Sequence, residues 1–173
     1  MAKLITAFVP YSGNEFTRKT VDQLQATGLV AKVYLLTTGE THVDITGCKA
    51  LNVDSLFSSQ TFRLMTKQCR SPYLLLIIHD TLIEFGQFGI DRLLAIAEGT
   101  GSGLVYADYH DMKEGIRTPH PVIDYQLGSI RDDFNFGSVM LFNAEAFKRA
   151  VAKHAKAEYQ YRRKTPTCEW SQG

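Results

Sequence analysis

Short apolar runs alternate along this chain with segments of helical periodicity. The clearest run, Tyr73–Ile78, follows Pro72 and is typical of a strand buried on both faces of a sheet. Further strand-like runs occupy residues 4–9, 30–36, 50–53, 103–106 and 137–142. Predicted helices lie between these runs, with Asn14, Ser58 or Ser59, and Asn143 placed as caps and with Gly28 and Gly99 placed as ends. The alternation predicts an α/β fold with a mostly parallel central sheet flanked by helices.

The alternation lapses between Ala107 and Asn135, a polar stretch that contains Pro119 and Pro121. A connection of this length is uncommon in a compact domain unless it is functional or mobile. We therefore expect a long loop that contributes to function or moves.

Composition indicates a single globular domain. The 173 residues are 45% hydrophobic, which is enough for a core, and the formal net charge of +1 gives no overall attraction to nucleic acid. No apolar run approaches the roughly 20 residues that span a bilayer, so we expect no transmembrane segment. Cys48, Cys69 and Cys168 form no CxxC pair, which favours a reducing compartment. These features together predict a soluble cytoplasmic protein.

Polar residues follow three of the predicted strands. They are Pro10–Glu15, Thr37–Gly39 and His79–Thr81. Ligands of parallel α/β sheets bind just beyond the carboxyl ends of the strands, so these residues are candidates for binding. A carboxylate in the position of Asp80 either caps a turn or offsets a cation such as Mg²⁺ or Mn²⁺, and His79 is a metal ligand or simply exposed. Neither GxGxxG nor GxxxxGK[ST] occurs, which disfavours dehydrogenases and P-loop ATPases.

Two denser polar clusters lie in the long connection. Tyr106–Asp111 combines two carboxylates with an imidazole, which suits a divalent cation or sugar hydroxyls. Arg131–Gly137 combines Asp132 and Asp133 with aromatic rings that can stack on a sugar face. A solvated loop is the alternative for the first cluster, and a local arginine–carboxylate cluster for the second.

Residues 5–15, an apolar strand followed by Pro10, Tyr11, Asn14 and Glu15, resemble the opening of family-two glycosyltransferases. The block His120–Val139 is similar to one in a bacterial subgroup of these enzymes, and the order of elements agrees over roughly residues 3–151. The resemblance implies a GT-A fold, the Rossmann-like fold of nucleotide-diphospho-sugar transferases, over residues 1–155. Residues 156–173 then form a polar basic tail.

The same resemblance implies a hexosyltransferase-like activity. A sugar would pass with inversion from an NDP-sugar, with UDP-sugars favoured, to a carbohydrate or glycolipid acceptor, as in bacterial polysaccharide biosynthesis. The implied nucleotide-binding residues are Pro10, Tyr11, Glu15, Thr37, Thr38, Arg63, His79 and Asp80. Asp80 aligns with the last acid of the family's DxD motif, which implies that it binds Mg²⁺ or Mn²⁺.

The chain also departs from the family pattern. Ile78 replaces one DxD carboxylate, and threonines replace the acid that holds the nucleobase. The family's Glu-Asp motif, which bears the catalytic base, has no counterpart after Phe147, so Asp132 and Asp133 are the candidates for the base. We therefore expect an incomplete domain, whose open sheet edge would favour a homodimer or some other compensating cover.

The departures leave the enzymatic status open. A non-catalytic or truncated domain that binds carbohydrate, nucleotide or a partner subunit is the main alternative. A nucleotidyltransferase is disfavoured because the Gly-rich, Arg-containing loop of that class does not follow the first strand.

Overall fold

The computed structural model describes residues 2–39, 42–122 and 134–154. Its strands are β1 (Ile5–Pro10), β2 (Val30–Thr37), β3 (Cys48–Asn52), β4 (Tyr73–Ile77), β5 (Leu104–Val105), β6 (Tyr109–Lys113), β7 (Ile116–His120) and β8 (Val139–Asn143). Its helices are α1 (Phe16–Ala26), α2 (Ser59–Gln68), α3 (Gly89–Thr100) and α4 (Ala144–Lys153). The predicted α/β alternation is thus confirmed.

The main sheet has the strand order β3-β2-β1-β4-β8-β5. The pairs β1/β2, β1/β4 and β2/β3 are parallel, whereas β8 runs antiparallel to both β4 and β5. The sheet is therefore mostly parallel, as predicted. From β1 the chain moves outward through β2 and β3 and then returns to the other side of β1 to form β4. This reversal of direction lies between β1 and β4, where sheets of this kind leave a crevice at their carboxyl edge.

Helices cover both faces of the sheet. One face packs against α1 and α3 through the apolar cluster that includes Val21, Leu24, Leu93 and Leu94. The other face packs against α2 and α4, and on it the rings of Phe8 and Tyr34 stack with centroids 5.3 Å apart. All six residues of β1 are buried, because each of its faces meets a helical layer. This explains why β1 reads as a nearly unbroken apolar run, interrupted only by Thr6.

Three predicted helix caps are confirmed by hydrogen bonds. The Asn14 side-chain oxygen accepts from the backbone N–H groups of Phe16, at 2.9 Å, and Thr17, at 3.2 Å. Ser58 caps α2 and Asn143 caps α4 in the same manner. The predicted end of α3 at Gly99 is wrong, because the helix continues to Thr100. Gly101 ends it by adopting the left-handed conformation that glycine tolerates.

The prediction of a long loop from Ala107 to Asn135 is also wrong in its described part. Strands β6 and β7 form a hairpin in which Tyr109 pairs with His120 and Lys113 with Ile116. Its two-residue turn has positive φ at Glu114, 50°, and at Gly115, 79°, which matches the twist of a tight hairpin. Most of its residues are polar and exposed, so no apolar alternation marked the strands. Residues 123–133 lie outside the described residues.

No helix in the described ranges is both long and apolar enough to cross a membrane. The outermost strands of the main sheet are β3 and β5. A homodimer, the domain boundary at residue 155 and a cytoplasmic location stay predictions. The basic tail at 156–173 lies outside the described residues.

We predict that Leu75→Ala destabilises the chain by about 2–5 kcal/mol, since it removes a fully buried side chain from the centre of β4. Urea denaturation followed by circular dichroism measures the loss. The matched control is Ile96→Ala, whose side chain is 50% exposed and whose removal should change the free energy of unfolding by less than about 0.5 kcal/mol. Equal losses of unfolding free energy at the two positions would contradict the placement of Leu75 in the core.

Candidate functional site at the carboxyl edge of the sheet

The carboxyl ends of β1, β2 and β4 meet at one edge because these strands are parallel neighbours. The turn after β1 is tied to both of the others. The Tyr11 N–H donates to the Leu36 carbonyl of β2 at 2.9 Å, and the Ser12 N–H donates to the Asp80 carboxylate beyond β4 at 2.7 Å. Predicted nucleotide-binding residues from three separate strand ends therefore share this edge. They are Pro10 and Tyr11, Thr37 and Thr38, and His79 and Asp80.

Asp80 is the most extensively bonded of these residues. Its Oδ2 accepts hydrogen bonds from the Ser12 N–H and from the Ser12 hydroxyl, the latter at 2.5 Å. Its Oδ1 accepts a hydrogen bond from the buried Thr17 hydroxyl at 2.7 Å, and its backbone carbonyl accepts a long one from Asn14. These contacts support the turn-capping role that the sequence left open.

The hydrogen bonds also determine the electrostatics of this carboxyl group. Burial acts to raise the pKa of Asp80, but the hydrogen bonds from Ser12, Thr17 and Asn14 outweigh burial and lower it below its ordinary value. Asp80 is therefore ionised at neutral pH, with its charge directed at the turn after β1.

The donor set around Asp80 does not fit a Mg²⁺ or Mn²⁺ centre. These cations take several oxygen ligands, yet Ile78 stands where a second acid would be needed. Within residues 2–39, 42–122 and 134–154, no group of three His, Cys, Asp or Glu side chains is placed to hold a metal. Both carboxylate oxygens of Asp80 already accept hydrogen bonds. A metal at Asp80 stays a prediction without support from the geometry.

His79 lies on the other side of the β4 end. Its exposed ring approaches Ser138 through Nδ1, 3.1 Å from the hydroxyl oxygen, and the Ile78 N–H donates to the Ser138 carbonyl at 3.1 Å. Ser138 thus orients the imidazole at this edge. Glu15 lies immediately before α1 and is exposed, and its side chain makes no capping hydrogen bond.

Arg63 lies in a different setting from the strand-end residues. It lines a cleft of about 50 Å³ between α2 and α4, together with Ser59, Phe62, Val151 and His154. A planar cation beside an aromatic ring can bind an anion or a base, which is compatible with the predicted role.

The region predicted to bind an acceptor is partly described. The rings of Tyr106, Phe134 and Phe136 pack edge to face, with centroid distances of 4.7–6.0 Å, and all three are half-buried. Tyr109 anchors the hairpin, because its hydroxyl accepts from the Asn135 amide at 2.8 Å and its ring stacks on His120. The candidate bases Asp132 and Asp133 lie outside the described residues.

Sequence reasoning missed two contributors to this edge, Thr17 and Ser138, and it included Ser12 in the candidate turn without predicting its bonds to Asp80. Ser12 and Thr17 bond Asp80 because the end of β4 lies beside the turn, which a linear pattern does not show. Ser138 reaches His79 through the antiparallel pairing of β8 with β4, and that direction was not predicted.

No protein-family model and no curated protein matches this chain. Several solved structures share its fold, among them the following two. 4-Diphosphocytidyl-2C-methyl-D-erythritol synthase from Anaerococcus prevotii is 14% identical, with 92% of this chain and 80% of that chain covered and a TM-score of 0.53. 2-C-Methyl-D-erythritol 4-phosphate cytidylyltransferase from Thermus thermophilus is also 14% identical, with 93% and 81% covered and a TM-score of 0.55.

These likenesses establish the fold, which is that of nucleotide-diphospho-sugar transferases, as the sequence predicted. An identity of 14% assigns neither a family nor an activity to this chain. Membership of the family-two glycosyltransferases stays a prediction.

We predict that Gly137→Ala loosens the anchor of the hairpin. Gly137 has φ of +79°, and an added Cβ would lie 2.9 Å from the Tyr109 Cδ1 atom, so the substitution is both strained and crowded. The expected loss is about 1–3 kcal/mol in the free energy of unfolding, measured by urea titration. Gly86→Ala is the matched control because an added Cβ there meets open space. Similar losses in the two variants would exclude the contact with Tyr109 as the cause.

We predict that Asp80→Asn destabilises the fold at pH 7 by about 1 kcal/mol, because it weakens the charged hydrogen bonds of the carboxylate. The loss is modest because the carboxylate is partly solvated, which reduces the free energy that such bonds contribute. The pKa of Asp80 is lower in the folded state than in the unfolded state, where it is about 3.9. The Asp80 carboxylate therefore stabilises the fold fully above the unfolded-state pKa, and this stabilisation is lost as pH falls through the folded-state pKa. Denaturation at pH 7, 5 and 3 should therefore show wild type and variant converging at the acidic end. Asp22→Asn, on the exposed side of α1, is the control. A gap that stays constant down to pH 3 would show that the charge is not responsible.

Proposed function

We propose that this chain binds the nucleotide of an NDP-sugar at the carboxyl edge of its sheet and transfers the sugar to a carbohydrate or glycolipid acceptor. The observation that carries the proposal is the bridge between Ser12 and Asp80, 2.7 Å long, at the point where the strand order reverses. Doubly wound sheets bind nucleotides above such a crevice. Polar and aromatic groups from β1, β2 and β4 surround it here.

Each strand end offers chemistry suited to part of a nucleotide. Tyr11 is half-buried at the end of β1 and can stack on a base. Thr38 is exposed just beyond β2 and can form neutral hydrogen bonds to the base or ribose in place of the acid that family-two enzymes use, whereas Thr37 is buried and only 3% exposed. His79, exposed and oriented by Ser138, can donate to a phosphate oxygen.

The transfer itself would proceed with inversion. An acceptor hydroxyl attacks the anomeric carbon from the face opposite the nucleoside diphosphate, while Asp132 or Asp133 removes the hydroxyl proton. The carbon–oxygen bond to the diphosphate breaks, and the diphosphate leaves with the bonding electrons. The half-buried rings of Tyr106, Phe134 and Phe136 would pack against the acceptor sugar.

A second candidate is nucleotidyl transfer, because one of the solved structures named above is called a cytidylyltransferase and the other a synthase of a diphosphocytidyl compound. The turn after β1 argues against it. Residues 11–15 contain Gly13 but no arginine, so the turn lacks the Gly-rich, Arg-containing loop expected of that class. A domain that binds a nucleotide or sugar without turnover is the third candidate.

Calorimetric titration with UDP, GDP and CTP, with and without Mn²⁺, tests the proposal. We expect UDP to bind, and we expect Tyr11→Ala to weaken binding at least about fivefold because base stacking contributes roughly 1–3 kcal/mol. Tyr73→Leu is the matched control, since Tyr73 lies at the amino end of β4, away from the proposed site. Comparison of the nucleotide affinities with and without Mn²⁺ also tests whether binding requires the predicted metal.

The products separate the three candidates. Release of a nucleoside diphosphate from an NDP-sugar supports glycosyl transfer, whereas release of pyrophosphate from CTP indicates nucleotidyl transfer. Binding without either product would favour the non-catalytic domain. No binding of any nucleotide would refute the proposed donor site.

A further inference from the structure

Asp80 connects two parts of the chain that are far apart in sequence. It follows β4, whereas all its side-chain partners lie in residues 12–17, between β1 and the first turn of α1. The carboxylate spans the crevice between β1 and β4 and leaves both of its oxygens facing the turn. A ligand at this edge would lie above the bridge.

The turn that Asp80 holds has a demanding shape. Gly13 has φ of +96°, a conformation that side-chain-bearing residues rarely adopt. Asn14 contributes to the same network, because its Oδ1 accepts from the first amides of α1 while its Nδ2 donates to the Asp80 carbonyl. Breaking the bonds to Asp80 would therefore free the turn and the start of α1 together.

The position of the charge also has an electrostatic consequence. The start of a helix favours negative charge, because its first backbone N–H groups have no acceptor within the helix. The Asp80 carboxylate is bonded to Thr17 in the first turn of α1 and supplies that charge from within the protein. Oδ2 already accepts two hydrogen bonds, both from Ser12, so a cation on that oxygen would compete with them, and a cation on Oδ1 would share that oxygen with the Thr17 hydroxyl.

We propose that Asp80 is a positioning residue that fixes the turn between β1 and α1 in the shape that receives the nucleotide, and that it is not a metal ligand. This inference rests on the proposed donor site at that turn. It assigns functional importance to the hydroxyl groups of Ser12 and Thr17, which a metal-binding Asp80 would not need.

Matched variants separate the two roles. Asp80→Asn removes the charge, Ser12→Ala removes one hydroxyl, and Thr17→Val replaces the other hydroxyl with a methyl group of the same size. Ser12→Thr keeps a hydroxyl and is the conservative rescue, and Asp22→Asn controls for the loss of one negative charge. UDP affinity is measured for each by calorimetry, once with Mn²⁺ and once with EDTA.

A positioning role predicts the same pattern in both buffers. Asp80→Asn should weaken UDP binding about tenfold, Ser12→Ala and Thr17→Val should weaken it by a smaller factor, and Ser12→Thr should bind like wild type. The double variant Asp80→Asn with Ser12→Ala should lose little more than Asp80→Asn alone, because both changes break one network. Mn²⁺-dependent binding that is lost in Asp80→Asn but intact in the hydroxyl variants would overturn the inference.

A failure of the proposed function looks different, because wild type then binds none of UDP, GDP and CTP. Backbone amide NMR and Mn²⁺ titration followed by electron paramagnetic resonance then decide the role of Asp80 independently. Displaced or broadened signals of Ser12 and Gly13 in Asp80→Asn, without Mn²⁺ binding to wild type, would support the fixed turn. Mn²⁺ binding that depends on Asp80, or unchanged turn signals, would refute it.

Discussion

The burial of β1 is the constraint on which the rest of this molecule depends. Every residue of the strand is buried, with β2 and β4 on its two sides and helices on both faces. A strand enclosed in this way has one position and one register, since a slip would expose apolar side chains and leave backbone groups unpaired. The turn that follows Pro10 therefore starts from a fixed point, and hydrogen bonds to β2 and to Asp80 then need to fix only a few further residues.

Burial also explains which parts of the fold the sequence could predict. Strands enclosed on both faces carry long apolar runs, so β1, β2 and β4 were predicted within about a residue or two of their observed ends. The hairpin of β6 and β7 is exposed on most positions, and Pro119 is tolerated because a two-stranded ribbon has only edge strands. Such a hairpin depends on its turn and its pairing, neither of which produces an apolar pattern.

The candidate site likewise has a part that the sequence could predict and a part that it could not. Residues that follow strands were predictable, because parallel strands deliver their carboxyl ends to one edge. The partners of those residues were not, since they depend on which strands are neighbours and in which direction they run. Asp80 shows the difference: its place at the end of β4 was clear from sequence, but its bonds to Ser12 and Thr17 required the three-dimensional pairing of β4 with β1.

The proposed donor and acceptor sides of this edge consequently differ in how they are held. The donor side is fixed by buried parallel strands and by an ionised carboxylate that spans the crevice, so its geometry is set by the core. The acceptor side rests on the exposed hairpin, joined to the segment before β8 by the hydroxyl and ring of Tyr109. Substitutions in that hairpin can change the surface proposed for the acceptor without disturbing the core. The proposed nucleotide site on buried strands and the proposed acceptor surface on an exposed hairpin could therefore vary separately, since loops and hairpins change more freely than the core that carries them.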